Sequence, residues 1–180
     1  MLAAGAGRRF GGTKQLADLD GRPLLQHAID AANAETALDR VVVVLGHEAE
    51  QIRAAVDLGR AEVVIAEGWE EGQAASLRTG VRAAGDAEAA VVILGDQPRP
   101  TPGAVDRVLA ARGDAPAVRA RYGGKPGHPV VLEHRLFSEL LRLRGDMGAR
   151  DVLAHRVKEV EMDAQQTDVD TREQLEEMRR

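Results

Sequence analysis

Residues 2–14 read Leu-Ala-Ala-Gly-Ala-Gly-Arg-Arg-Phe-Gly-Gly-Thr-Lys, an apolar start followed by a glycine-rich loop with three cations. The apolar part is typical of the end of a β-strand, and such a loop can expose backbone N–H groups to phosphates. Two common phosphate-loop patterns do not fit. The dinucleotide pattern requires glycine where Phe10 stands, and the P-loop requires Ser or Thr after its lysine, whereas Gln15 follows Lys14. The alternative is an ordinary turn with solvated arginines.

Outward from this loop, short β-branched runs alternate with amphipathic stretches. The pattern predicts strands over 41–45, 62–66, 90–94, 117–122, 130–132 and 157–162. It predicts helices over 24–33, 47–57, 73–84, 134–143 and 147–156, with a helix start at Thr101 and a last helix capped by Thr171. This alternation indicates an α/β domain with a mostly parallel central sheet, and we expect residues 1–180 to form a single domain. Residues 2–5 are shorter than a typical strand of ~5–6 residues, so the first strand is expected to be truncated, unless a short strand suffices.

Composition excludes several classes of function. The chain has 180 residues, of which 44% are hydrophobic and 29% charged, so it can bury one sizeable core. Its formal charge of −5 and its few aromatic residues argue against nucleic acid as a partner. No apolar run approaches the ~20 residues that span a bilayer, and no secretory signal is visible, so we expect a cytoplasmic protein without a membrane partner. The absence of cysteine excludes thiolate metal sites within the chain.

Asp96 comes directly after the predicted strand 90–94, at the edge where parallel sheets place their ligands. A carboxylate there can hold Mg²⁺, which binds through one or two carboxylates together with substrate phosphates. The competing interpretation is a turn-capping aspartate before Pro98. Asp168 and Asp170 alternate on an extended segment and point the same way, so either is a candidate second ligand. We select Asp170, which could equally cap the final helix.

Motifs along the chain resemble those of known nucleotidyltransferases. The opening, with Arg9, Gly11 and Lys14, is similar to the Leu-Ala-Ala-Gly-x-Ser-x-Arg-Met-Gly-x-x-Lys signature of molybdenum cofactor and sugar-nucleotide enzymes, with Gly7 and Phe10 replacing Ser and Met. Later segments resemble the molybdenum cofactor cytidylyltransferases: Glu-Gly-Gln-Ala-Ala-Ser-Leu at 71–77, Gly-Asp-Gln-Pro at 95–98, Gly-His-Pro at 127–129, Gly-Asp-Met-Gly-Ala-Arg at 145–150 and Asp-Val-Asp-Thr at 168–171. The resemblance implies a three-layer Rossmann-like nucleotidyltransferase fold.

The resemblance also implies a reaction and its residues. The terminal phosphate of molybdopterin would attack the α-phosphorus of CTP in the presence of Mg²⁺, and pyrophosphate would leave. Catalytic roles fall on Arg9, Lys14 and Asp96, and metal binding on Asp96 and Asp170. The nucleotide would be bound by Leu2, Ala3, Ala4, Gly5, Gly7, Gly11, Lys14 and Ser76. Acceptor binding falls on His128, Asp146 and Arg150. The implied partners are CTP, a molybdopterin-type acceptor, and molybdenum hydroxylases or their maturation chaperones.

Several of these residues have simpler interpretations. Lys14 could be a solvated lysine, His128 part of a rigid turn, and Asp146 and Arg150 an ion pair four residues apart on a helix. Ala74 and Ala75 stand where the family has serines, so fewer hydroxyls are available to read a base. Two other functions therefore stay open: nucleotidyl transfer from GTP or UTP to another phosphorylated acceptor, and a molybdopterin carrier without catalysis.

Overall fold

A computed structural model describes residues 1–153, 155–165 and 167–179, apart from the side chain of Asp151. The strands are β1 (Asp18–Leu19), β2 (Arg22–Pro23), β3 (Val42–Leu45), β4 (Glu62–Ile65), β5 (Ala89–Val92), β6 (Ala117–Tyr122), β7 (Lys125–Glu133) and β8 (Val157–Met162). The helices are α1 (Leu24–Ala34), α2 (Ala49–Ala55), α3 (Gln73–Ala84), α4 (Ala104–Ala110), α5 (Phe137–Leu140), α6 (Ala149–Leu153) and α7 (Arg172–Met178). Within these described ranges, no helix is long and apolar enough to cross a membrane.

The opening segment connects two groups of strands into one main sheet. Leu2 forms parallel bridges with Val44 of β3 and with Leu94 beyond β5, and its N–H donates to the carbonyl of Ile93 at 2.9 Å. The strand order is therefore β4, β3, the opening segment, β5, β7, β6 and β8. Among these described strands only β7 runs antiparallel to its neighbours. The mostly parallel prediction is thus confirmed with one reversed strand, and the segment at residue 2 is short, as expected.

Helices cover both faces of the sheet, which confirms the three-layer prediction. Side chains of α1 and α2 pack with Val43 and Leu45 of β3, whereas Val44 lies on the opposite face beside α3. On β6, Ala117 packs with α3 and α5, and Val118 packs with α4 on the other side. This alternation is the period of two that a strand imposes on its side chains. The continuously apolar runs of the parallel strands follow from burial on both faces.

Several predicted boundaries are wrong. Helix α4 begins at Ala104, because Gly103 adopts a left-handed conformation with φ of 69° and turns the chain after Thr101. The predicted loop 123–129 is mostly strand, since only Gly123 and Gly124, both with positive φ, form the turn before β7. The stretches 134–143 and 147–156 contain shorter helices than predicted. By contrast, α3, β6 and β8 have the predicted limits. Ala154, which belongs to the predicted helix 147–156, lies outside the described residues.

Candidate functional site

An ion cluster lies at the carboxyl edge of the sheet. Lys14 begins a short 3-10 helix after the opening loop, Asp96 follows β5, and Asp170 directly precedes the cap of α7. The Lys14 Nζ atom lies 2.8 Å from Asp96 Oδ2 and 3.1 Å from Asp170 Oδ1. Arg9 Nη2 lies 2.8 Å from the other oxygen of Asp170. The structure therefore brings together the four residues selected for catalysis and metal binding, although they come from three distant segments.

Local geometry distinguishes between the simpler interpretations of these residues. The Lys14 side chain is only 13% exposed, so it is not a solvated lysine. Asp170 does not cap α7, because Thr171 does so in a capping box with Gln174. Gln174 instead accepts from the Asp170 N–H at 2.7 Å and fixes the backbone from which the Asp170 carboxylate reaches the two cations.

Asp168 lies beside the same cluster. Its Oδ1 accepts a hydrogen bond of 2.6 Å from Gln97, and the Val169 N–H donates to the Asp96 carbonyl at 3.0 Å. Burial raises the pKa of Asp168 above its usual value, and the nearby carboxylates of Asp96 and Asp170 contribute to the rise against the opposing hydrogen bond. Such crowding of carboxylates is typical of a site that gains from a further cation.

One oxygen of this cluster has no partner. Asp96 Oδ1 is buried and accepts no hydrogen bond from the described residues. A buried unpaired carboxylate oxygen is costly, and a divalent cation would satisfy it. Within the part of the chain that is described, no group of three His, Asp or Glu side chains is arranged to bind a metal ion. The arrangement therefore fits Mg²⁺ or Mn²⁺, which take few protein carboxylates and complete their shell with phosphate oxygens and water.

The opening loop is held in a shape that only glycine permits at one position. Gly7 has φ of 60°, and a Cβ there would collide with the carbonyl oxygen of Gly12. The Gly7 carbonyl accepts from the N–H groups of Phe10 and Gly11 at 2.9 and 3.0 Å. In the described structure the N–H groups of Ala6, Gly7 and Arg8 donate to no protein acceptor, and these residues line a cavity. The loop can therefore offer backbone donors to a phosphate.

Gln15 supports this loop, and no motif indicates its role. Its buried amide donates to the carbonyls of Ala3 and Gly5, both at 2.8 Å. This side chain fixes the point at which the opening strand becomes the loop, and only the folded structure brings these groups together.

The cavity above the loop has a volume of about 390 Å³. It is lined by Leu2, Ala3, Ala4, Gly5, Gly7, Lys14, Trp69, Gln73, Ser76, Asp96 and Asp146, among others. Gly11 does not line it. Ala74 and Ala75, by contrast, are 0% and 2% exposed and face the protein interior, so hydroxyls at these positions would not reach a base. The expectation that their loss weakens base reading is therefore wrong, and Ser76 is the residue of this trio that faces the cavity.

Trp69 is a further cavity residue that the sequence analysis missed. Its side chain packs against Gly46, where a Cβ would lie 2.8 Å from the Ala4 carbonyl oxygen and 2.7 Å from the Trp69 Cβ. Its ring meets the imidazole of His47 edge-on, with centroids 5.0 Å apart. The indole is thereby fixed as one wall of the cavity.

A second cavity of about 930 Å³ adjoins the first, because Leu2, Gln73 and Asp146 line both. The three residues selected for acceptor binding, His128, Asp146 and Arg150, all line it. In the structure as described, Asp146 makes no salt bridge with Arg150. The helical ion pair considered as the simpler interpretation does not form, because Asp146 lies in the loop before α6 rather than on the helix.

The loop that carries Asp146 is docked on the start of α3. The Gly145 carbonyl accepts from the Ala74 N–H at 3.1 Å, and a Cβ on Gly72 would collide with the Asp146 side chain. Glycine at position 72 therefore permits the close approach that places Asp146 between the two cavities.

His128 lies between the ion cluster and the second cavity. Its peptide bond with Pro129 is cis, and its carbonyl accepts from the Tyr122 hydroxyl at 2.7 Å. Burial lowers the pKa of His128 from 6.5 to about 4, with Asp96 opposing the shift and Arg119 adding to it. The imidazole is therefore neutral at pH 7 and acts through hydrogen bonds rather than charge.

The geometry matches a known family. A family model described as the MobA-like NTP transferase domain matches residues 1–161. The chain belongs to this family. A nicotine blue oxidoreductase from Paenarthrobacter nicotinovorans is 32% identical over 193 residues, covering 97% of this chain and 92% of that protein.

Other similar proteins show how far the likeness extends. The crystal structure of Rv0371c from Mycobacterium tuberculosis H37Rv has a TM-score of 0.87 and 32% identity, covering 99% of this chain and 94% of that one. A complex of Rv0371c with manganese has a TM-score of 0.82 and 31% identity, covering 98% and 94%. The bifunctional protein GlmU of Burkholderia mallei is 38% identical over 125 residues, which are 68% of this chain and 26% of GlmU. The chain thus spans about a quarter of GlmU. These likenesses show the fold and the transferase family.

Proposed function

We propose that this MobA-like protein transfers a cytidylyl group from CTP to the phosphate of a molybdopterin-type acceptor in the presence of Mg²⁺. The observation that carries the proposal is the Lys14–Asp96–Asp170 cluster, of which Lys14 and Asp96 line the first cavity, beside a second cavity that adjoins the first. A transferase must bring two substrates to one reacting centre, and the two adjoining cavities offer one to each. Residues 1–180 would act as a single domain.

The first cavity would hold the nucleotide. The free N–H groups of the glycine loop and Lys14 would bind the triphosphate, and Ser76 would face the base. Arg9 does not line the cavity and is 76% exposed, so it would have to turn from Asp170 towards the phosphates to take part. Preorganised donors of this kind stabilise the negative charge that develops on the leaving pyrophosphate. Leu2, Ala3, Ala4 and Gly5 would shape the floor of the cavity.

Asp96 and Asp170 would hold the divalent ion, because the buried Asp96 Oδ1 accepts no hydrogen bond and could bind the ion instead. When bound, the metal would neutralise phosphate charge and orient the triphosphate. Manganese in the related Rv0371c supports a divalent ion, and Mg²⁺ is the expected physiological choice. Lys14 would then leave its carboxylate partners for the phosphates.

The second cavity would hold the acceptor with His128, Asp146 and Arg150. An oxygen of the acceptor phosphate would attack the α-phosphorus of CTP, a new P–O–P bond would form, and the bond to pyrophosphate would break with its electron pair on pyrophosphate. A phosphate monoester is already mostly dianionic at pH 7, because its second pKa is about 6. No general base is therefore needed, which agrees with a neutral His128 that serves to position the acceptor.

An oxidoreductase is a second candidate, favoured by the full-length likeness to nicotine blue oxidoreductase. Such a reaction would require a redox cofactor in place of the triphosphate. The part-buried cluster of Lys14 with two carboxylates gives electron transfer no evident help, so we rank this function second.

Pyrophosphate release should be measured with each of the four nucleoside triphosphates and Mg²⁺, with and without molybdopterin. We expect release that depends on molybdopterin and is fastest with CTP. A clear preference for GTP would overturn the cytidylyl assignment. Molybdopterin binding without release would favour the carrier, and oxidation of NADPH by nicotine blue without any release would favour the oxidoreductase. Molybdenum hydroxylases or their chaperones as partners, and the cytoplasmic location, stay predictions.

A further inference from the structure

Arg119 is a cation of the second cavity that neither the motifs nor the proposed reaction has used. It lies in the middle of β6, on the same face as Ala117, and lines the cavity together with His128 and Arg150. Its side chain is only 16% exposed. Across the sheet, Glu159 of β8 stands directly opposite Arg119 and forms an ion pair with it.

The guanidinium of Arg119 has unused hydrogen-bonding capacity. In the described structure, its Nη2 atom alone has a partner, which is Glu159, and its Nε atom is buried without one. A guanidinium carries five N–H donors in a planar fork that suits carboxylate and phosphate oxygens. Leaving such donors unpaired in a protein interior is costly, so a ligand that accepts from them would be stabilised.

The charges of the second cavity favour an anion. Arg119 and Arg150 are its permanent cations, and Asp146 is its one carboxylate among the described lining residues. His128 lines the same cavity as Arg119, and the charges of both Asp96 and Arg119 act on its imidazole, so the three groups are close together. An anion bound at Arg119 would therefore lie next to the reacting centre rather than at a remote end of the cavity.

We propose that Arg119 binds the phosphate with which the acceptor attacks, and that it selects acceptors that attack through a phosphate over those that attack through a neutral hydroxyl. This inference rests on the proposed nucleotidyl transfer. The guanidinium would hold two phosphate oxygens while the third attacks the α-phosphorus, and pyrophosphate would leave with the electron pair of the broken bond. A hydroxyl acceptor would leave the fork unpaired.

The chain offers a matched control. Arg121 lies two residues further along β6 and also pairs with Glu159, with Nη1 at 3.5 Å from Glu159 Oε2, but it does not line the cavity. Replacing either arginine removes one charge from the same ladder between β6 and β8. A purely structural role of this ladder predicts equal effects from Arg119→Gln and Arg121→Gln.

The binding test uses inorganic phosphate as the probe, on protein saturated with CTP and Mg²⁺ in the absence of acceptor. The ¹⁵N-labelled Arg119 Nε–H signal should shift on titration, and Arg119→Gln should weaken phosphate binding by ~10-fold or more, as loss of charged hydrogen bonds does. Arg119→Lys should restore little, because an ammonium lacks the fork. Glu159→Gln should tighten phosphate binding, since it removes the competing carboxylate, whereas a structural ladder predicts a loss.

The kinetic test compares KM for molybdopterin with KM for CTP. Arg119→Gln should raise the first and leave the second unchanged, and Arg121→Gln should change neither. Equal effects of the two glutamine variants, or no shift of the Arg119 signal with phosphate, would overturn the inference even if CTP transfer is intact. A phosphate response at Arg119 without any transfer from CTP would instead leave this site standing and remove the proposed reaction.

Discussion

Replacing Lys14 with methionine should change metal binding and turnover in opposite directions. In the nucleotide-free protein, the Lys14 ammonium lies 2.8 Å from Asp96 and 3.1 Å from Asp170, so it occupies the space where a divalent ion would bind these carboxylates. The ammonium therefore competes with the metal. Once a triphosphate is bound, the same ammonium becomes a donor to phosphate oxygens, and its loss should slow transfer.

The size of both effects follows from the contacts. Each hydrogen bond between charged groups contributes roughly 1.5–3 kcal/mol. If the ammonium recovers all but one such bond when a metal displaces it, the remaining cost is roughly 1.5–3 kcal/mol, and Lys14→Met should bind Mn²⁺ ~10- to 100-fold more tightly. Turnover should fall by ~10²–10³-fold, as it does when a preorganised charged donor to a transition state is removed.

Mn²⁺ affinity of the nucleotide-free protein can be measured by electron paramagnetic resonance of the free ion, and turnover by pyrophosphate release. Lys125→Met is the control, because Lys125 is exposed at the start of β7 and does not line either cavity. The reasoning is refuted if Lys14→Met binds Mn²⁺ more weakly than the wild type, which would show that the lysine supports the metal site. Unchanged turnover in a folded Lys14→Met variant would remove Lys14 from the chemistry.

Three further predictions concern the same site. Asp96→Asn keeps the size but not the charge, so Mn²⁺ binding and pyrophosphate release should both fall by ~10²-fold or more; near wild-type activity at limiting Mg²⁺ would contradict this. Gly7→Ala should weaken triphosphate binding by ~10-fold or more, because a positive φ and a collision with a backbone carbonyl add up. Gly11→Ala, which shares only the positive φ, should weaken triphosphate binding less. Equal losses of affinity in the two variants would contradict the importance of the collision at Gly7. The pKa of His128 is 6.5 in the unfolded chain and about 4 in the folded protein, so between these pH values only the unfolded chain binds the proton. The free energy of unfolding of the wild type should therefore fall by roughly 3 kcal/mol as the pH is lowered from 6.5 to 4, and that of His128→Asn should not. Urea unfolding at several pH values measures both. The reasoning is refuted if His134→Asn, at an exposed histidine, abolishes the fall as His128→Asn does.

The strands and helices that the sequence predicted well are those whose burial repeats along the element. β6 and β8 have alternating or β-branched residues, and α3 has apolar residues at helical spacing, so their limits are as predicted. Boundaries set by single backbone conformations were not predictable in this way. Gly103 turns the chain before α4, and pairing of Lys125 and Pro126 with β6 starts β7 ahead of a Gly- and Pro-containing segment.

The candidate site was predictable where motif and edge of the sheet coincide. Lys14, Asp96 and Asp170 each follow or precede a strand end or helix cap, and the parallel topology brings these ends together. Gln15 and Arg119 were missed because their roles depend on contacts across the fold. For the serine position a signal did exist: Ala74, Leu77 and Val81 share a helical face with the core, which turns Ser76 away from it.

The distribution of these residues explains why the family is clear while the substrate is not. In the proposed reaction the carboxylates, Lys14 and the glycine loop would bind charges that every nucleoside triphosphate carries, so this part of the site could serve many reactions. Discrimination must come from groups that touch what differs between substrates. For the base that is the start of α3 at Ser76, and for the acceptor it is the cavity of Arg119, His128 and Arg150. A relative can therefore retain the fold over its whole length and still carry the name of an oxidoreductase. Substrate selection in this protein should change on substitution in the second cavity and not on substitution in the glycine loop, where both substrate binding and rate should fall for every triphosphate alike.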